Sequence, residues 1–172
     1  MSRLGSLIRD VPDFPKKGIV FKDITPLLAD PAGFAQAVDL IATRYRDDKI
    51  DLVVGVESRG FIFGSAVAAR LGTGFIPIRK PGKLPSKTQR IEYELEYGRD
   101  ALEIHLDAIK AGQRVLMVDD LLATGGTMKA CCDLVTQLGG QIVSIAFLIE
   151  LAFLHGRKKL IEHEVFSVLS YT

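Results

Sequence analysis

The 172-residue chain is poor in the residues that build disulfide and metal frameworks, with two cysteines and three histidines. Cys131 and Cys132 are adjacent, which suits neither a bridge between them nor a spaced ligand set. They read as small apolar residues on a helix in a reducing compartment. An excess of one charge is also lacking. The net charge is +1, so bulk electrostatics offers no hold on nucleic acid. Long apolar runs are missing too: the longest, residues 145–154, is interrupted by Glu150 and is too short for a bilayer. The opening MSRLGSLIRDVPDFP has no continuous apolar core of the signal-peptide kind. No Gly-Lys-Ser/Thr and no GxGxxG occur. The expectation is a soluble cytoplasmic chain of one domain, residues 1–172, binding neither membrane nor nucleic acid.

The chain does have alternating segments of two periods. Asp30-Pro31 is a helix start, an oxygen-bearing cap before a proline in the first turn. Phe34, Val38, Ile41, Ala42 and Tyr45 then recur at helical spacing to about Arg46. Short apolar runs at 52–56, 74–79, 115–118, 142–149 and 165–169 read as strands, the first of them β-branched and of buried type. Between them, 60–71 and 127–138 read as helices, the second ended by Gly139-Gly140. Strands alternating with helices predict an α/β fold with a doubly wound, mainly parallel sheet.

One stretch departs from that rhythm. In residues 91–97, IEYELEY, Ile91, Tyr93, Leu95 and Tyr97 share one face while Glu92, Glu94 and Glu96 share the other. Residues 98–100 can turn the chain, and Leu102, Ile104 and Leu106 resume the alternation, with His105 as a polar partner. The pattern predicts a hairpin projecting from the core. Residues 80–87, rich in Pro, Gly and Lys, precede it as an exposed, mobile loop, and together 80–106 form a candidate lid.

The chemistry concentrates in residues 115–127, VLMVDDLLATGGT. In open parallel sheets, ligands sit outside the carboxyl ends of strands. Here two acids, Asp119 and Asp120, end a buried strand, and Ala123, Thr124, Gly125, Gly126 and Thr127 lead into a helix. Glycines let backbone N–H groups approach an anion, threonine hydroxyls add donors, and a helix N-terminus favours negative charge. The acids would repel a phosphate but accept hydrogen bonds from ribose hydroxyls. A capped glycine turn alone would be ordinary; the acid pair beside it describes a ribose-5-phosphate site. Two further loops follow strands: Glu57-Ser58-Arg59-Gly60, and Arg79, Lys80 and Lys83. A lone surface arginine or lysine is a solvated charge, but two basic loops converging on the acid-and-glycine turn could hold a second, more highly charged phosphate group. His155 and His163 lie away from every motif.

The string VLMVDDLLATGGT resembles the phosphoribosyl-pyrophosphate signature of the type I phosphoribosyltransferases. PDFPKKGIVFKDITPLL, VVGVESRGFIFG, IRKPGKLP and LEYGRDALEIHLDAI, in chain order, narrow the resemblance to the adenine-using branch. It implies transfer of a phosphoribosyl group from phosphoribosyl pyrophosphate to N9 of adenine, with Mg²⁺ bridging the donor's pyrophosphate and ribose hydroxyls and held mainly through the substrate. It further implies a homodimer. Ala123, Thr124, Gly125, Gly126 and Thr127 match the 5′-phosphate loop, and Asp119 and Asp120 the ribose-binding acids. Ser58, Arg59, Lys80 and Lys83 match pyrophosphate positions, with a cis peptide often preceding the serine. Val20, Phe21 and Lys22 match a base pocket in an N-terminal hood, residues 1–30. Glu96 and Tyr97 match the catalytic lid, where pattern alone would make Glu96 part of a hairpin's polar face. Lys22 stands where many relatives carry Arg, a fork that an ammonium cannot reproduce. Two alternatives share the donor site: another purine as acceptor, or a regulator that binds the donor without catalysis. The second usually needs a DNA-binding domain, for which the chain has no room.

Overall fold

A computed structural model describes residues 3–94 and 98–172. The N-terminal part consists of α1 (Arg3–Ser6), a ribbon of β1 (Arg9–Pro12) and β2 (Val20–Asp23), α2 (Thr25–Ala29) and α3 (Pro31–Arg44). Next come β3 (Leu52–Val56), α4 (Arg59–Leu71), β4 (Gly74–Ile78), β5 (Thr88–Glu94) and β6 (Arg99–His105). The chain closes with β7 (Arg114–Leu122), α5 (Gly126–Gln137), β8 (Gln141–Leu151), two 3₁₀ turns (Ala152–Leu154 and Gly156–Leu160) and β9 (Val165–Tyr171).

The central sheet has the order β4-β3-β7-β8-β9, and every neighbouring pair in it is parallel. Its inner strands are buried on both faces, as a parallel sheet between helical layers requires. Side chains alternate between two cores. Val53, Leu116 and Val118 pack with Ile41 of α3 and Phe63 of α4, whereas Val54, Met117 and Phe147 pack with Cys131 and Leu134 of α5. The expected α/β, doubly wound, mainly parallel architecture is therefore the observed one. Both cysteines are buried free thiols, as the helical spacing predicts. The cap before α3 also forms: Asp30 accepts a hydrogen bond from the Gly33 N–H at 2.7 Å, with Pro31 in the first turn.

Three differences matter for the site. First, β7 does not stop at Val118 but runs through Leu122, because β8 continues alongside and pairs Asp119 with Phe147 and Leu122 with Glu150. The acids are thus held in the sheet rather than in a loop. Second, the antiparallel hairpin β5–β6 does not simply project. Ala101, Leu102, Glu103 and Ile104 of β6 are all buried, Leu102 and Ile104 inside the α5-side core. Arg79 and Glu103 exchange backbone hydrogen bonds of 3.0 and 2.8 Å. Apolar contact with α5 outweighs the hairpin's polar outer edge. The alternation ends at Ile104, leaving Leu106 exposed, and His105 Nε2 accepts from the Ser86 N–H at 3.3 Å. The expected tip residues Leu95, Glu96 and Tyr97 lie outside the described residues. Third, α1, β1, β2 and α2 have no counterpart in the periodicity reading, since four or five residues are too few to show a period. Among the described residues no helix is long and apolar enough to cross a membrane.

Candidate active site

The carboxyl ends of β3 and β7 open onto one cleft of about 240 Å³, lined by Glu57, Ser58 and Arg59 on one side and by residues 119–128 on the other. The sequence brings these segments together because β3 and β7 are parallel neighbours, so their following loops emerge side by side. The Glu57–Ser58 peptide is cis.

Arg59 is the first residue of α4, and its Nη2 lies 2.8 Å from Asp120 Oδ2. That approach is too poorly angled for a hydrogen bond, so Asp120 Oδ2 is a buried acceptor with no donor among the described residues. The same guanidinium lies over the Phe21 ring, 4.9 Å from its centroid. Arg59 therefore links the acid pair to the aromatic side of the cleft. Asp119 Oδ1 accepts the Asp120 N–H at 2.8 Å, and it sits against Gly60, where a Cβ would lie 2.6 Å from it. Only glycine at position 60 lets the carboxyl reach the start of α4. Burial pushes the Asp119 carboxyl well above the ordinary carboxylate range, and the neighbouring Asp120 charge pushes it further. Burial also raises Asp120, against the pull of Arg59.

The phosphate-type loop is built from glycines packed on glycine. Gly125 caps α5 in the left-handed region, φ +80°, and no side chain caps the helix, so its first amides are left for an incoming anion. A Cβ on Gly125 would lie 2.4 Å from the Gly156 carbonyl oxygen, and a Cβ on Gly156 2.3 Å from that of Ala123. Thr127 Oγ1 lies 3.4 Å from the Tyr93 hydroxyl, which ties the loop to the hairpin.

The second basic loop is fastened to the first through Glu57. Its carboxylate receives both Arg79 Nε and Nη2, at 3.2 and 2.9 Å, and also the Lys80 N–H. Burial acts to raise the Glu57 carboxyl, but these donors together hold it below its ordinary value. Lys80 Nζ is paired with Asp100 of β6, and Lys83 is exposed. Neither lines the cleft, whereas Ser58, Arg59, Asp119, Asp120, Ala123, Thr124, Gly125, Gly126 and Thr127 all do. Glu96 and Tyr97 lie outside the described residues.

In the ribbon β1–β2, Phe21 faces Arg59 and Val20 is half-exposed, but Lys22 turns away. Its ammonium pairs with Asp10 at 2.6 Å and lies 4.0 Å above the Tyr171 ring. The Lys22 side chain therefore answers an anion here. Lys22→Met is expected to leave base affinity within about twofold of the wild type, since such ion pairs contribute little; a larger loss in a base titration would put Lys22 back in the site. The sequence marks the loop Glu57-Ser58-Arg59-Gly60 without giving Glu57 or Gly60 a role, and periodicity and motif spacing overlook Gly156. Gly156 lies outside every motif, and a lone glycine is its only sequence signal.

A doubly wound sheet with acids and a glycine cradle at its carboxyl ends defines a protein that handles a phosphorylated sugar. The model of the phosphoribosyl transferase domain matches residues 23–170. Adenine phosphoribosyltransferase from Geobacter metallireducens is 61% identical over 171 residues, 99% of this chain and 100% of that protein. The enzyme of the same name from Chloroflexus aurantiacus is 56% identical over 168 residues, 98% and 97% of the two chains. The crystal structure of adenine phosphoribosyltransferase from Thermoanaerobacter pseudethanolicus superposes with TM-score 0.95 at 55% identity over 98% of each chain. That of the Saccharomyces cerevisiae enzyme, complexed with an imino-altritol bisphosphate and adenine, gives 0.92 at 43% over 96% of each. The chain belongs to the phosphoribosyl transferase family and, within it, to the adenine phosphoribosyltransferases.

Proposed function

We infer that this protein transfers the 5-phosphoribosyl group of phosphoribosyl pyrophosphate to N9 of adenine, releasing AMP and pyrophosphate. The observation that carries the reading is one cleft holding a desolvated acid pair, a glycine cradle on a helix N-terminus, and Arg59 between Asp120 and the Phe21 ring. The 5′-phosphate would lie on the amides of 124–127. Ribose hydroxyls would donate to Asp119 and Asp120, giving Asp120 Oδ2 a hydrogen bond beside its ion pair with Arg59. Adenine would stack on Phe21, with Val20 beside it, and residues 1–30 would act as the base-binding hood.

Breaking the bond from C1 to pyrophosphate leaves positive charge on the ribose and negative charge on the leaving group. The acid pair favours the first; Arg59 and Ser58 favour the second. Lys80 and Lys83 join them only if the 80–87 loop closes on the cleft, Lys80 exchanging Asp100 for the anion. The adenine N9 proton passes to Glu96, placed in this role by the resemblance, while the hairpin excludes the water that would hydrolyse the donor. The buried acid pair, whose Asp120 Oδ2 accepts no hydrogen bond among the described residues, would suit Mg²⁺ held mainly by the donor, with Asp119 and Asp120 behind it. When bound, that ion neutralises the pyrophosphate. Two free buried thiols fit a cytoplasmic setting, and a homodimer completes the proposal.

The test is one assay with the donor, Mg²⁺ and each purine in turn. AMP alone is the expected product. IMP or GMP instead would move the reading to another base, and donor binding without any product would make the chain a regulator. Glu96→Gln is expected to lower turnover more than about tenfold while the donor still binds, and unchanged turnover would remove Glu96 from the chemistry.

A further inference from the structure

The backbone and the ammonium of Lys80 are held by different partners. Its N–H donates to Glu57, which lines the cleft. The residues around it are fixed as well: Arg79 exchanges backbone hydrogen bonds with Glu103, and the Gly82 N–H donates to Glu103 Oε2 at 3.1 Å. The ammonium instead rests on the carboxylate of Asp100, near the start of β6. Asp100 is held in place without Lys80. Its Oδ1 accepts the Ala101 N–H at 2.8 Å, and the Tyr93 hydroxyl donates to its Oδ2 at 3.4 Å. The Asp100 side chain is 25% exposed and that of Lys80 45%, so a fixed carboxylate faces a long, mobile cation.

Lys80 lines no part of the cleft while it rests there. Before its ammonium can meet an anion in the cleft, the pair with Asp100 must break. A group that spends most of its time in a non-binding arrangement lowers the apparent affinity of its ligand by the fraction that remains competent. The same pair re-forms as the anion departs, which offsets part of the cost of letting it go. We propose that Asp100 is a positioning residue that competes with pyrophosphate for Lys80, loosening the hold on that product and easing its release. The inference rests on the reading of the cleft as a phosphoribosyl pyrophosphate site with Lys80 among its anion ligands, and it adds a residue that itself touches no substrate.

Inorganic pyrophosphate probes this competition, and ribose 5-phosphate, which would not reach Lys80, is the control. In calorimetric titrations of the full chain, Asp100→Asn keeps the side chain's shape and is expected to bind pyrophosphate about fivefold more tightly. Ribose 5-phosphate should bind as it does to the wild type. Asp100→Glu, which restores a carboxylate, should return pyrophosphate affinity most of the way. The gain should vanish when Asp100→Asn is combined with Lys80→Ala, whereas the mere loss of a negative charge would act in both backgrounds. In turnover assays, inhibition by pyrophosphate should strengthen by the same factor with the KM for adenine unaltered. Equal or weaker pyrophosphate binding in Asp100→Asn, or a gain that persists without Lys80, would overturn the inference. Failure of the unmodified chain to bind pyrophosphate would instead sink the functional reading beneath it.

Discussion

Replacing Asp119 and Asp120 together by alanine is expected to reduce affinity for phosphoribosyl pyrophosphate more than about 100-fold, because two charge-assisted hydrogen bonds to the ribose are lost at once. The fold should survive, since these acids cost stability. Burial and mutual repulsion raise the Asp119 carboxyl well above its unfolded value. A raised carboxyl binds its proton more tightly folded than unfolded, so folding is favoured at low pH. That advantage is lost as pH climbs from the unfolded value through the folded one. Asp119→Asn removes this cost. Its melting temperature should exceed the wild type's by about 2–4 °C at pH 7, and the gain should shrink towards zero near pH 3. Calorimetry on both variants checks the pair of claims. Retained donor affinity in the double variant would refute the ribose role; a lower melting temperature for Asp119→Asn at neutral pH would refute the stored cost.

Gly125→Ala is the second large effect expected. The residue sits at φ +80°, where an L side chain costs about 1 kcal/mol, and its new Cβ would lie 2.4 Å from the Gly156 carbonyl oxygen. Backbone cannot yield as a flexible side chain does, so either the loop lifts from the 3₁₀ turn or the turn moves. Both displace the amides that face the phosphate. Affinity for ribose 5-phosphate should fall at least about 30-fold, given that misplaced oxyanion-type donors lose about 3 kcal/mol. Pyrophosphate, which the proposed function assigns to Arg59 and Ser58, should bind nearly unchanged. A Gly125→Ala protein with intact ribose 5-phosphate affinity would show that the glycine packing is dispensable.

Most of the fold was legible because its signals are local. Buried runs such as Leu52–Val56 and the capped start at Asp30-Pro31 name their own structure. The acid pair and threonine-flanked glycines likewise read as a ribose-5-phosphate turn, and Arg59 as an anion-binding loop residue. Less legible was the partner each of these would meet. The hairpin looked free because Glu92, Glu94 and Glu96 alternate with apolar residues in the sequence, but Leu102 and Ile104 bind it to the core. Lys22 matched a base-pocket position and turned instead to Asp10 and Tyr171, residues 12 and 149 positions away. Lys80 reads as one more exposed cation until Asp100 of the returning strand is placed beside it.

The turn at 115–127, proposed to bind the donor, was thus written in consecutive residues, where hydrophobic burial, two carboxylates and two glycines each act within a few peptide units. Folding alone placed Asp120 against Arg59, Gly60 under Asp119, and Gly156 beneath the phosphate loop. Those contacts join segments that no period relates. They depend on parallel strands delivering distant loops to one edge of the sheet, and on backbone approaches that only a packed interior enforces.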